Sequence, residues 1–259
     1  PTLLDTAGNR RILEGSPGYV AAWPGVQLRD IPATASRTEG DVHVYGNPHI
    51  QTSPLNMIGV SKNILDGLKR IDPDSAAHYE ANASALADRL YRLTFGDELV
   101  ELLGGETLAN LSRNGRLRDF LANREYPRNS GRMLLERLGG WLKQAEPLRG
   151  RKIVGYHKNW IYLAELLELD VRGYIEPKPG IPPTPRHVEE IMNLIQKEEI
   201  KVILTAAYFD PVKPTSIAKR TGAKAVVVPM GSGVDGITGY DRLVQHWIDS
   251  LLEAFGDGS

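Results

Sequence analysis

The sequence predicts an α/β fold, and three observations carry that prediction. From residue 150 onward, short apolar runs alternate with amphipathic stretches at intervals of roughly 20–30 residues, the pattern of βα units on a parallel sheet. Before them, two long helical periods follow one another over residues 55–95. Between these regions, residues 96–149 are cut into short helical pieces by Gly104-Gly105, Gly115 and Gly139-Gly140.

Taken in order, residues 1–40 are rich in turn signals: Gly8-Asn9, Ser16-Pro17-Gly18 and Pro24-Gly25. Within them Val26 to Ile31 alternates apolar and polar residues and predicts a short strand. Residues 40–54 have no helical period and read as a loop. A helix follows from Leu55 to Arg70, with Ile58, Leu65 and Leu68 near one face. Asp72-Pro73 opens the next, with Asp as N-cap and Pro in the first turn. Its stripe of Ala76, Tyr79, Ala83, Leu86, Leu90 and Leu93 runs to Phe95, a rod of roughly 30 Å. Residues 96–149 read as an exposed helical insert, with Arg124 to Arg132 a polar loop. The final part predicts strands at Lys152–Tyr156, Val171–Ile175, Lys201–Ala206 and Ala225–Val228. Helices are expected at His157–Glu168, Pro185–Lys197 (capped by Thr184), Pro214–Arg220 and Gly239–Phe255. Binding groups on such sheets lie beyond the carboxyl ends of the strands.

Composition narrows the function. The 259 residues carry 31 basic and 32 acidic side chains, a net charge of −1. That balance gives no electrostatic reason to expect nucleic acid or an anionic membrane as partner. The chain has no cysteine, which rules out disulfides, thiolate metal sites and cysteine nucleophiles. No apolar run reaches the roughly 18 residues that span a bilayer.

Six histidines remain as the carriers of chemistry. His78, His187 and His246 fall inside helices and read as surface or interfacial residues. His157 directly follows a strand, where such a sheet presents ligands, although a simple strand-to-helix turn explains it equally. His43 and His49 share the irregular segment Asp41-Val-His-Val-Tyr-Gly-Asn-Pro-His49, where Pro48 restricts Asn47 and fixes the approach to His49. Neutral imidazoles in such a loop suit Zn²⁺, Mn²⁺, Cu²⁺ or Ni²⁺.

Gly40-Asp-Val-His-Val-Tyr-Gly-Asn-Pro-His-Ile50 resembles a stretch of the zinc/manganese solute-binding proteins of ABC importers. Gly155-Tyr-His-Lys-Asn-Trp160 is similar to the ligand turn of that family's second lobe. Gly173-Tyr-Ile-Glu-Pro-Lys-Pro-Gly-Ile-Pro-Pro183 and the helix opened by Asp72-Pro73 resemble it too, in matching order. The resemblance implies two Rossmann-like βα lobes joined by a long rigid helix. It divides the chain into residues 1–71, the remainder of the first lobe; 72–95, the linking helix; 96–149, the insert; and 150–259, the second lobe.

The resemblance also implies that His49 and His157 are metal ligands, one from each side of an interlobe cleft. His43 is a further candidate. The family's late carboxylate ligand has no counterpart in Val227-Val-Pro-Met-Gly231, which leaves Asp235 as the nearest acid. Ala206-Ala207-Tyr208 departs from the family's usual Glu-Pro. Nothing upstream of His43 supplies the earlier histidine ligand, so most of the first lobe is expected to be missing. A histidine-led set favours zinc, with manganese the alternative, and affinity would fall with pH through the imidazole range of roughly 6–7.

The implied protein is not an enzyme. It is a monomeric carrier in the periplasm or on the outer face of the cell envelope, handing a divalent metal to an ABC permease. Two rival readings remain. One is a metal-dependent hydrolase with Glu176 as base. The other is a surface interaction protein with a vestigial metal site.

Overall fold

A computed structural model describes residues 2–31, 45–128, 130–234 and 236–256 of the chain. The helical part runs α1 (Thr2–Thr6), α2 (Pro54–Ile71), α3 (Ala76–Phe95), α4 (Asp97–Leu103), α5 (Gly105–Arg113), α6 (Leu117–Ala122) and α7 (Gly140–Gln144). The sheet part follows as β1 (Lys152–Gly155), α8 (Ile161–Leu166), β2 (Asp170–Tyr174), α9 (Pro185–Lys197), β3 (Val202–Ala206), α10 (Val212–Thr221), β4 (Lys224–Val228) and α11 (Tyr240–Phe255).

The alternation read from residue 150 onward is thus a parallel sheet. All four strands are parallel, in the order β2-β1-β3-β4. Crossovers between parallel strands must pass over a face, and they use both faces here. Leu163 and Ala164 of α8 and Val244, Trp247 and Leu251 of α11 cover one face. Ile191 and Ile195 of α9 and Ile217 of α10 cover the other. The chain reverses direction at β1, so the crevice of this sheet lies between the carboxyl ends of β1 and β3. Thr184 caps α9 as expected, accepting from His187 N at 3.2 Å.

Three expectations change. Val26 to Ile31 forms no strand. Alternation needs a partner edge to become a ladder, and this segment instead gives Arg29 O to Asn47 N at 2.7 Å, while Arg29 N donates to Tyr162 Oη at 3.2 Å. Asp30 then turns to φ 50°, which ends any extended run. Asp72 stands as N-cap of a 3₁₀ turn and not of α3 itself. A 3₁₀ turn at Pro73–Ser75 separates it from α3, and its carboxylate accepts from Tyr79 Oη at 2.7 Å. Lastly, residues 96–149 are helical but packed rather than exposed. Leu99, Leu108 and Leu121 are fully buried and belong to the same core as Leu163 and Trp247. Each such side chain contributes about 1.5–3 kcal/mol by leaving water, which gives these short helices the stability that isolated helices of their length lack.

The glycine breaks have a packing reason as well. Gly139 N donates to Phe95 O at 2.9 Å, bringing the backbone before α7 against the end of α3. A Cβ on Gly96, which sits at φ +86°, would lie 2.6 Å from Gly139 Cα. The sequence pattern Gly96…Gly139 is therefore a backbone-to-backbone contact that no side chain fits. Gly96→Ala should destabilise the protein by about 1–3 kcal/mol, read as a lower urea midpoint at unchanged m-value. A midpoint equal to that of the parent would show that the two segments separate without cost.

Candidate metal centre

The centre is built at the crevice from two segments far apart in the chain. The first is the end of β1. Beyond Gly155 the chain bends at Tyr156 and His157, where His157 itself has extended dihedrals (φ −129°, ψ 171°), and then enters a 3₁₀ turn at Lys158–Trp160. His157 therefore precedes the helix instead of starting it, and its ring stands at the strand end. Pairing with β2 also continues past the last strand residue. Ile175 N donates to Gly155 O at 2.9 Å and Glu176 N to Tyr156 O at 2.8 Å. This parallel register carries Glu176 alongside His157, and the Glu176 carboxylate is hydrogen-bonded to His157 Nδ1. The other carboxylate oxygen accepts from Gly180 N at 2.9 Å. The proline-rich turn after β2 closes with Gly180 at φ +75°, which aims that N–H back at Glu176.

The second segment is the Gly-Asn-Pro-His loop. Asn47 is buried, and each of its polar groups is used. Its Nδ2 donates to Lys158 O at 2.7 Å and to Asp30 Oδ2 at 3.3 Å, and its Oδ1 accepts from His49 N at 3.0 Å. Its backbone carbonyl accepts from Tyr162 Oη at 2.6 Å. Further bonds hold the loop beyond it. Thr52 Oγ1 donates to His49 O at 2.9 Å and to Asn159 O at 3.2 Å, and Tyr240 Oη donates to Gln51 O at 2.7 Å. Burial pushes the Tyr240 phenol well above its ordinary pKa, so it remains a donor at any working pH.

These constraints bring the two imidazoles together. The His49 and His157 rings meet edge to face, with centroids 5.3 Å apart and planes at 88°. A metal bound at 2.0–2.1 Å by an imidazole nitrogen lies about 3 Å from the ring centre; two rings sharing it at a tetrahedral angle then have centres about 5 Å apart. The observed spacing is that of an ordinary edge-to-face ring contact, and it is also short enough for two imidazoles to share one cation. Phe209, which follows β3, lies 5.7 Å from the His157 ring and walls it from that side. Next to it, Tyr208 Oη accepts from the buried Asn159 amide. Burial raises the Tyr208 pKa, the Asn159 bond lowers it and the Glu176 charge raises it; the net effect is upward, which leaves a neutral phenol. Lys158 pairs with Asp30 at 3.3 Å and lies over the Tyr174 ring. Burial, with Asp30 adding to it, pushes Tyr174 up to about 12.

The other candidates fall elsewhere. His43 and Asp235 lie outside the described residues. Among the described residues, no group of three or more His, Asp or Glu side chains is arranged to hold a metal. His187 Nε2 donates to Tyr174 O at 3.0 Å, and His78 contacts Asn82, in line with their reading as surface or interfacial residues. Glu176 accepts one hydrogen bond on each carboxylate oxygen, from His157 Nδ1 and from Gly180 N. The sequence reading missed Asn47 as the anchor of the loop, and Phe209 as a wall.

The family model for the periplasmic zinc-uptake complex component A, ZnuA, matches residues 4–95 and 132–254. The chain belongs to this family. The match omits residues 96–131, the stretch that contains α4 to α6. Members of the ZnuA family are metal-binding solute-binding proteins and not enzymes. Solved structures share the fold. FpvC of Pseudomonas aeruginosa, a solute-binding protein in complex with Mn²⁺, superposes with a TM-score of 0.60 at 21% identity, covering 92% of this chain and 70% of that one. The laminin-binding adhesin Lmb of Streptococcus agalactiae gives 0.59 at 19% identity, with 89% and 70% covered. A ZnuA deletion mutant lacking residues 138–173, with zinc bound, gives 0.59 at 17% identity, with 93% and 69% covered. Among the described residues of the present chain, no helix is long and apolar enough to cross a membrane.

The Asn47 geometry makes a directional prediction. Asn47→Asp keeps the acceptor for His49 N but removes the donor to Lys158 O and sets a carboxylate against Asp30. It should cost more stability than the roughly 1–3 kcal/mol of one unmet buried polar group, and speed amide exchange across residues 46–53. Unchanged exchange in that loop would mean that the amide does not anchor it.

Proposed function

We propose that this chain captures a divalent metal between His49 and His157 and delivers it to the permease of an ABC importer, with zinc the preferred cargo and manganese the alternative. The ring pair at 5.3 Å carries the proposal, and family membership supports it. His43 and Asp235 are the remaining candidates for completing the ligand set. Two imidazoles as the leading donors favour zinc, because Mn²⁺ prefers carboxylate and water oxygens and stands lowest in the divalent series. The chemistry is capture and release.

In this reading residues 1–71 supply the His49 side of the site, 72–95 the rigid connection, 96–149 an added helical element and 150–259 the His157 side. The protein works in the periplasm or at the outer cell surface, as a monomer that docks on its permease. The loop carrying His49 is tied to the β1 end by Asn47 and Thr52. Release therefore proceeds through a local shift of that loop.

Isothermal titration provides the test. The parent protein should bind Zn²⁺ and compete it against Mn²⁺ in favour of zinc. His49→Ala and His157→Ala should each weaken zinc by more than the roughly 10- to 100-fold that losing a hydrogen-bond partner behind a ligand costs. Equal zinc affinity in the parent and the double variant would remove the proposal.

A further inference from the structure

We infer that Glu176 is a positioning residue that fixes the tautomer of His157, leaving its Nε2 lone pair as the one that faces cargo. The inference rests on the proposed metal-binding role of His157, but its central claim concerns the empty protein. An ionised carboxylate only accepts hydrogen bonds. The bond between the Glu176 carboxylate and His157 Nδ1 therefore requires the proton on Nδ1. In a neutral imidazole that puts the free lone pair on Nε2. A histidine in water prefers the opposite tautomer, so the carboxylate has to impose this one.

The surroundings show why this carboxylate can do it. Its side chain and that of His157 are only 10% and 12% exposed, so water competes weakly for the bond. Its second oxygen is held by Gly180 N at 2.9 Å, and its backbone N–H by Tyr156 O at 2.8 Å. Glu176 is thus fixed at three points, two of them on backbone, and its carboxylate stands on the side of the imidazole away from Nε2. It cannot reach a metal on Nε2 of the same ring. What it supplies is orientation of the ring and the place of its proton, as a carboxylate behind a ligating imidazole does. The Glu-Pro-Lys-Pro-Gly sequence thereby acquires a definite purpose, since its turn returns the Gly180 N–H to the residue that opens it.

Two measurements test this. In metal-free parent protein at about pH 8.5, above the ordinary imidazole range, ¹⁵N–¹H long-range correlation should show His157 with its proton on Nδ1. Glu176→Gln keeps size and the acceptor for Gly180 but loses the charge that dictates the proton's place. In that variant the two tautomers should mix, and zinc should bind about 10- to 100-fold more weakly, with folding monitored by circular dichroism and the urea midpoint. Glu176→Asp, which restores the charge, should recover the Nδ1 tautomer at least in part. An Nε2 proton on His157 in the parent overturns the inference without any variant. An unchanged tautomer and zinc affinity in a folded Glu176→Gln protein also overturns it. Absence of zinc binding by the parent with an Nδ1 proton present would strike the cargo reading and leave the tautomer claim standing.

Discussion

The arrangement of this protein's site depends on one buried amide. Asn47 joins a loop from the helical part of the chain to the carbonyl of Lys158, just past the end of β1. Everything at the crevice is referred to that bond. It sets the height of the loop above the sheet, and through Asn47 Oδ1 it orients the backbone of His49. Because the amide is buried, breaking any of its bonds leaves a polar group without water, so the arrangement is held more firmly than the net strength of one hydrogen bond suggests. An apolar residue at the same place would fill space but would fix neither the register of the loop nor the direction of its imidazole.

Much of the fold was legible because it is written in local patterns. The strands around Ile153, Val171, Ile203 and Val226 are short apolar runs bounded by turn residues, and Thr184-Pro185 announces the start of α9 with both a cap and a first-turn proline. Two misread segments share a cause: each depended on a partner distant in sequence. Val26 to Ile31 alternates correctly for a strand, but alternation says which faces differ and not whether an edge is available. In residues 96–149 the glycine pairs mark the helix breaks correctly. They also mask Leu99, Leu108 and Leu121, whose apolar faces needed the rest of the core to become visible.

The site was legible to a similar degree. The pairing of His49 with His157 comes from the likeness of two short motifs to a family, because no period connects residues so far apart. Glu176 reads from sequence as a carboxylate after a strand, and its true neighbour follows only from the register of β2 on β1. The role of Asn47 had one signal, its place before a proline, and that signal gives backbone restriction rather than the amide's partners. His43 and Asp235 fall outside the described residues.

The shared interior has a mechanical consequence. Helices α2 to α7 and one face of the sheet bury their apolar side chains in a single continuous cluster that reaches from Leu55 to Ala254. A dry, close-packed interior resists shear, since sliding one part over another opens voids that neither water nor side chains can fill at once. Among the described residues, this shared cluster leaves the helical part and the sheet no apolar plane along which to slip as rigid pieces. Under the proposed capture of a metal, exchange with the outside would then fall to the lip of the crevice, to a few side chains and one tethered loop.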